Sequence, residues 1–307
     1  MNGMRLRNLM DTPMTLSKGR AFRQLVAEQA PLPVLGAVNA YTAMLLAQAG
    51  GQALYISGAG VANASYGLPD LGMTNVTDVL VDVNRIAQVT SLPILVDVDT
   101  GFGSAFQIAR TVTLMERAGV AAIHIEDQAS AKRCGHRPNK VIVSPQEMGD
   151  RLKAAVDARC DADFVIMART DAYAKEGLSA AMDRAAFYVE QGADMIFPEA
   201  LMTLEEYQIF TAQIKVPVLA NITEFGKTPL FTRKALHQAG VGLILYPLSA
   251  FRAMSHAAAR VYQTILHEGT QATVLPEMQT REALYEVLGY YAYEQRLDAL
   301  LGEENEG

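Results

Sequence analysis

Eight short apolar runs recur down this chain, each separated from the next by a longer segment with helical periodicity. They cover residues 34–39, 53–57, 94–99, 121–127, 164–170, 195–199, 216–223 and 243–246. The runs are continuous rather than alternating, the pattern of parallel strands covered on both faces. Ala49-Gly50, Ala118-Gly119, Gln191-Gly192 and Ala239-Gly240 each stand between a helical pattern and a strand, where glycine ends a helix in the left-handed conformation. Helix starts are legible too. Ser144-Pro145-Gln146-Glu147 has a capping serine, a first-turn proline and a glutamate placed to reach back, and Thr203-Leu204-Glu205-Glu206 is a second capping box. Roughly eight strand–helix units in about 250 residues predict a (β/α)8 barrel. The alternative, a doubly wound open sheet, lacks a glycine-rich fingerprint after its first strand. The expected organisation is one barrel domain over 1–307, with a flexible extension at 1–16 and a C-terminal helical segment at 251–301.

Half of the 307 residues are hydrophobic, enough for a sizeable core. A net charge of −7 argues against nucleic acid as a partner, since phosphate binding needs a basic face. Two cysteines, Cys134 and Cys160, make no disulfide framework and fit a reducing cytoplasm. Arg5 and Arg7 are not followed by an uninterrupted apolar stretch, so no signal peptide is expected. Between Glu28 and Asp70 there is no charge at all, but Gly, Pro, Asn and Gln interrupt the stretch too often for a membrane span. Tyr285, Tyr290, Tyr291 and Tyr293 alternate with charges near the C-terminus. They suit a helix packed on its own barrel or a subunit contact. The last residues, 302–307, read as disordered.

In a barrel of this kind the chemistry sits at the C-terminal ends of the strands. Those ends are unusually polar: Asn39, Ser57, Asp97 with Asp99, Glu126 with Asp127, Arg169 with Asp171, Glu199, and Asn221 with Thr223. Burying so many without a bound partner is costly. Asp97-Val98-Asp99 places two carboxylates on one side of a strand, and Asp70 and Glu126 extend them to four. An all-oxygen cluster of this charge calls for a hard cation, Mg²⁺ or Mn²⁺. The segment Lys132-Arg133-Cys134-Gly135-His136-Arg137 surrounds one thiol with fixed positive charge, which favours the thiolate and would hold a polyanionic substrate. A zinc site at Cys134 and His136 lacks further thiols nearby, since Cys160 lies in a helical, distant setting. The 128–143 loop is longer than most loops that follow a strand, as loops that close over sites often are. Arg169, Arg252 and Arg281 are candidate carboxylate clamps.

These residues resemble the isocitrate lyase and phosphoenolpyruvate mutase superfamily, from about Gly19 to about Leu300. The likeness rests on Ser57-Gly58, Gly67-Leu68-Pro69-Asp70, 97–103, 132–140, 167–171, 197–200, 221–226 and 246–252. The cysteine motif marks its lyases and is missing from its mutases and decarboxylases. The resemblance implies a Mg²⁺-dependent carbon–carbon lyase acting on a hydroxylated tricarboxylate, nearest to those that cleave 2-methylisocitrate. It implies Asp97 and Asp99 as metal ligands with Asp70 and Glu126 in support. Ser57, Gly58, Ala59, Cys134, Gly135, His136, Arg169, Glu199, Asn221, Thr223, Arg252 and Arg281 would line the substrate. Cys134 would be the proton donor, Arg169 would stabilise developing charge, and Tyr55 or a metal-bound water would be the base. Phe197, Leu245 and Pro247 would make room for a substrate methyl. A homotetramer with exchanged C-terminal helices is also implied. Ala59 departs from the family's usual glycine. The rival readings are a lyase for isocitrate or 2,3-dimethylmalate, a phosphonate mutase or hydrolase, and a non-catalytic organic-acid-binding barrel.

Overall fold

The structure, a computed structural model, describes residues 17–129, 132 and 140–302. The expectations for 1–16 and 303–307, and those for Cys134, Gly135 and His136, lie outside the described residues. All eight anticipated strands form, most of them trimmed at one or both ends: β1 (Leu32–Gly36), β2 (Leu54–Ile56), β3 (Ile94–Asp97), β4 (Ala122–Glu126), β5 (Val165–Thr170), β6 (Met195–Pro198), β7 (Leu219–Asn221) and β8 (Leu243–Tyr246). Every pairing is parallel, and the order β6-β5-β4-β3-β2-β1-β8-β7 runs round a barrel. A parallel bridge between Ile196 and Val218 closes the last gap, β6 to β7.

Alternate residues along the strands feed two separate cores. Leu32, Val34, Tyr55, Leu95, Val165, Met167, Met195, Phe197, Leu243 and Leu245 point into the barrel. Ile56, Val96, Ile123, Ile125, Ile166, Ile196 and Ile244 point outward to the helices. The helix α1 (Lys18–Gln29) plugs the lower end, adding Phe22 and Val26 to the inner core. With that end filled, a ligand has access only at the other.

The outer ring comprises α2 (Ala40–Gln48), α4 (Val76–Ala87), α5 (Ala105–Arg117), α6 (Pro145–Ala158), α7 (Tyr173–Glu190), α8 (Leu204–Gln213) and α9 (Arg233–Gln238), while α3 (Gly58–Gly60) is a single turn at the end of β2. The four glycines expected to end helices all have positive φ: Gly50, Gly119, Gly192 and Gly240. The Thr203 box closes as read, with Glu206 accepting from the Met202 and Thr203 N–H groups. At α6 the reading is corrected. Ser144 caps the helix, but Glu147 pairs with Arg151 at 2.9 Å instead of turning back.

After β8 come α10 (Ser249–Glu268), α11 (Arg281–Leu288) and α12 (Tyr290–Gly302). No residue of α10 is buried. Beside its start an apolar groove opens between α2 and the outer side of β1 and β8, lined by residues such as Leu35, Leu45, Leu46, Tyr246 and Met254. Tyr285 stacks on Tyr290, and Tyr291 meets both rings edge-on. Among the described residues no helix is long and apolar enough to cross a membrane.

One contact ties strand packing to the site. A Cβ built on Gly36 would stand 1.7 Å from the backbone oxygen of Pro247. Gly36→Ala is expected to cost about 3 kcal/mol, because backbone must move to admit the methyl. Thermal unfolding measures this, and a wild-type melting temperature would refute the close approach.

Candidate active site

The inward columns change character as they rise. Above Leu95 come Asp97 and Asp99, above Ala122 come His124 and Glu126, and above Met167 come Arg169 and Asp171. Above Phe197 is Glu199, and above Leu219 are Asn221 and Thr223. Most of these polar residues are the upper members of the columns that fill the core, and a cavity opens above them. It is lined by Tyr55, Ser57, Ala59, Asp70, Asp97, Glu126, Lys132, Arg169, Phe197, Glu199, Asn221, Thr223, Leu245, Pro247, Leu248 and Arg252.

Arg169 is the centre of its charge. Its Nε lies 3.0 Å from Asp171 and 3.3 Å from Glu126, and its Nη2 lies 3.2 Å from Glu199. Phe197 packs under the guanidinium, with its ring centroid 5.0 Å from Cζ. Burial opposes the charge of Arg169, but Asp171, Glu126 and Glu199 outweigh it and raise its pKa well above the ordinary value. Asp171 also binds Lys140, so the far end of the 128–143 loop is fixed to the same carboxylate.

Asp97 accepts hydrogen bonds at 3.0 Å from the N–H groups of Gly58 and Asp99. Burial raises its pKa, but His124, Lys132 and Arg169 more than offset this and bring it to about 2. Asp99 lies beyond the end of β3 with φ 48°, so a left-handed turn, not strand periodicity, brings it to the cluster. Burial and then the charge of Asp97 push Asp99 up to about 7. Glu126 is raised well above its ordinary value, first by burial.

The carboxylates already hold a cation. Lys132 Nζ stands 2.5 Å from Asp70 and 2.6 Å from Asp99. Among the described residues no three acidic or imidazole groups converge at coordination distance, and Lys132 bridges Asp70 and Asp99. Glu126 Oε1 is buried and has no hydrogen-bond partner among the described residues. An oxygen-only set with excess negative charge and an unsatisfied carboxylate oxygen fits a hard divalent cation.

Sequence reasoning missed three residues here. His124 lies wholly buried beneath Glu126, with Nε2 2.8 Å from the Tyr55 hydroxyl and 3.7 Å from Asp97. Burial lowers its pKa to about 4, so near neutral pH it is an uncharged hydrogen-bonding partner. The two-residue spacing from Glu126 was the available signal. Lys132 was read only as part of a cationic segment and not as a partner of Asp70 and Asp99, and Leu248, from a loop, gave no signal. Asp127, by contrast, faces the helices, accepting hydrogen bonds from Thr170 at 2.7 Å and Tyr188 at 2.9 Å. Arg281 opens α11 on the exposed surface and does not line the cavity, although Gln279 just before it is held by Tyr41 at 2.7 Å. Gly58 meets the cavity's edge through its bond to Asp97.

The sequence pattern of the phosphoenolpyruvate phosphomutase family matches residues 22–266. The chain belongs to this family. The family likeness anticipated from the motifs therefore holds over most of the chain. A 2-methylisocitrate lyase of Shewanella oneidensis is 58% identical over 95% of this chain and 100% of its own length. The Escherichia coli 2-methylisocitrate lyase is 59% identical over 92% of this chain and 96% of its own length. Among solved family members, a 2,3-dimethylmalate lyase superposes with a TM-score of 0.86 at 29% identity, over 94% of this chain and 96% of that one. A phosphonopyruvate hydrolase solved with oxalate and Mg²⁺ gives 0.80 at 29% identity, over 92% and 99%.

Proposed function

We propose that this chain is a Mg²⁺-dependent lyase of the methylcitrate cycle in propionate catabolism, cleaving 2-methylisocitrate to pyruvate and succinate. The observation that carries the reading is the mixed lining of the cavity. Arg169 and the carboxylate cluster suit a polyanion, and Phe197, Leu245, Pro247 and Leu248 suit a methyl group. The identity to named 2-methylisocitrate lyases supports the same substrate.

Asp97 and Asp99 would hold the ion, supported by Asp70 and Glu126; Mn²⁺ suits the same donors. Bound there, it supplies Lewis-acid charge that lowers the pKa of the substrate hydroxyl. A base takes the hydroxyl proton and the carbon–carbon bond breaks, its electron pair passing to the succinate fragment while the hydroxyl carbon becomes the ketone of pyruvate. Arg169, with Ser57, Glu199, Asn221, Thr223 and Arg252 around it, binds the carboxylates and meets the charge that develops on succinate. Cys134 delivers the proton that completes succinate, with Gly135 and His136 beside it in the loop. The buried phenol of Tyr55 is raised well above its ordinary value, first by burial and then by Asp97, so it acts as a hydrogen-bond donor more readily than as a base.

The exposed α10 and the apolar groove beside it support a homotetramer in which C-terminal helices are exchanged, filling that groove with a segment from a second copy. A reducing cytoplasm suits a protein whose proposed proton donor is a free thiol.

Pyruvate release from 2-methylisocitrate, glyoxylate release from isocitrate and cleavage of 2,3-dimethylmalate, each with Mg²⁺ and with excess EDTA, test the function. Pyruvate release from 2-methylisocitrate should dominate and stop with EDTA. Dominant glyoxylate release would overturn the role given to Phe197, Leu245 and Pro247. Preference for 2,3-dimethylmalate would move the chain to the activity of its structural neighbour.

A further inference from the structure

Phe225 is the least expected residue near the cavity. Its side chain is 94% exposed in the single chain, and its backbone is left-handed, with φ 60°. It is the third residue of a turn in which the Gly226 N–H donates to the Thr223 carbonyl at 3.4 Å. Positive φ at that position of a turn favours glycine or asparagine, and glycine is the very next residue. An exposed phenylalanine held in a strained turn gains nothing from core packing, and such outliers point to function.

Arg252 supplies the reason. Its guanidinium carbon lies over the Phe225 ring, 5.6 Å from the centroid. Its Nε lies 3.5 Å from Glu224 Oε2, and Ser249 donates a hydrogen bond to the other oxygen of Glu224. One face of the guanidinium is thus taken by an aromatic ring and its Nε edge by a carboxylate. Arg252 lines the cavity as well. A planar fork fixed on its face and one edge keeps its Nη edge for an anion.

We propose that Phe225 and Glu224 form a bracket that positions Arg252 for a carboxylate of the substrate. Both are positioning residues acting through Arg252, and the inference rests on the functional reading above. The left-handed turn is what places the ring beneath the guanidinium.

The test compares Phe225→Ala, Phe225→Tyr and Phe225→Gly, each alone and with Arg252→Ala, in 2-methylisocitrate turnover. Phe225→Ala should raise KM about threefold to fivefold and leave kcat unchanged, since the bracket organises binding and not bond cleavage. Phe225→Tyr should restore KM. Phe225→Gly should raise KM like alanine without lowering the melting temperature, because glycine relieves the turn. In the Arg252→Ala background none of the three should change KM further. An unchanged KM in Phe225→Ala, or a KM effect that persists without Arg252, overturns the bracket. A change in oligomeric size with no change in KM also overturns it, by assigning Phe225 to a subunit contact. Wild-type turnover separately decides the functional reading. If it is absent, labelling of Arg252 by phenylglyoxal, read by mass spectrometry, still decides the bracket. Several-fold faster labelling in Phe225→Ala supports it, and equal rates overturn it.

Discussion

Arg169→Lys is expected to leave a folded barrel whose turnover is reduced about a thousandfold, as when a preorganised donor is removed from a site of developing charge. The guanidinium serves Asp171, Glu126 and Glu199 at once, at 3.0, 3.3 and 3.2 Å, with Nε facing the first two and Nη2 the third. A lysine ammonium is a point charge on a longer, flexible stem and cannot face all three while lying flat on Phe197. The charge survives, so the buried carboxylates stay compensated and the melting temperature should fall little. Arg169→Met should behave differently. It strands those carboxylates without their central cation, which costs about 3–5 kcal/mol when one partner of a buried pair is removed. Melting curves and turnover for the two variants separate geometry from charge. Near-normal turnover in Arg169→Lys, or a wild-type melting curve for Arg169→Met, would refute the central role.

How much of this was legible depends on which physical rule places each residue. Residues placed by the two-residue period of a strand were readable. Once Leu95 and Met167 face inward, Asp97 and Arg169 must as well, and His124 follows from Glu126 by the same step. The period also settles Asp127, which belongs to the opposite face and binds Thr170 and Tyr188 there. Helix ends were readable because positive φ selects glycine, as at Gly119 and Gly192. Residues placed by loops escaped. Lys132 reaches Asp70 across 62 positions of chain, and no local pattern predicts that closure. Asp99 was assigned to the cluster for the wrong geometric reason, since a left-handed turn and not the strand carries it. Arg281 is exposed at the start of α11 and does not line the cavity of the single chain, a placement that depends on where α11 packs and not on local sequence.

Asp97→Asn is expected to reduce affinity for Mg²⁺ about a hundredfold or more, beyond the losses typical of changing a supporting residue around a metal. Asp97 is the carboxylate of the cluster whose charge the site secures, with its pKa at about 2. The Gly58 and Asp99 N–H groups each donate to one of its oxygens, so an amide would place an NH₂ against one of these donors. The effect on pH dependence follows from Asp99. Burial, and after it the charge of Asp97, pushes Asp99 up to about 7, so below that pH it carries a proton that an incoming cation must displace. Wild-type affinity should therefore fall as pH drops below about 7, by roughly tenfold per unit. Without the charge of Asp97, Asp99 ionises more easily, and the fall in affinity should begin at lower pH in the variant. Calorimetric titration of the metal-free protein with Mg²⁺ at several pH values reads both effects without turnover. Wild-type affinity in Asp97→Asn would remove Asp97 from the ion's ligands, and an affinity independent of pH between about 6 and 8 would mean that Asp99 is already ionised there when the cation arrives.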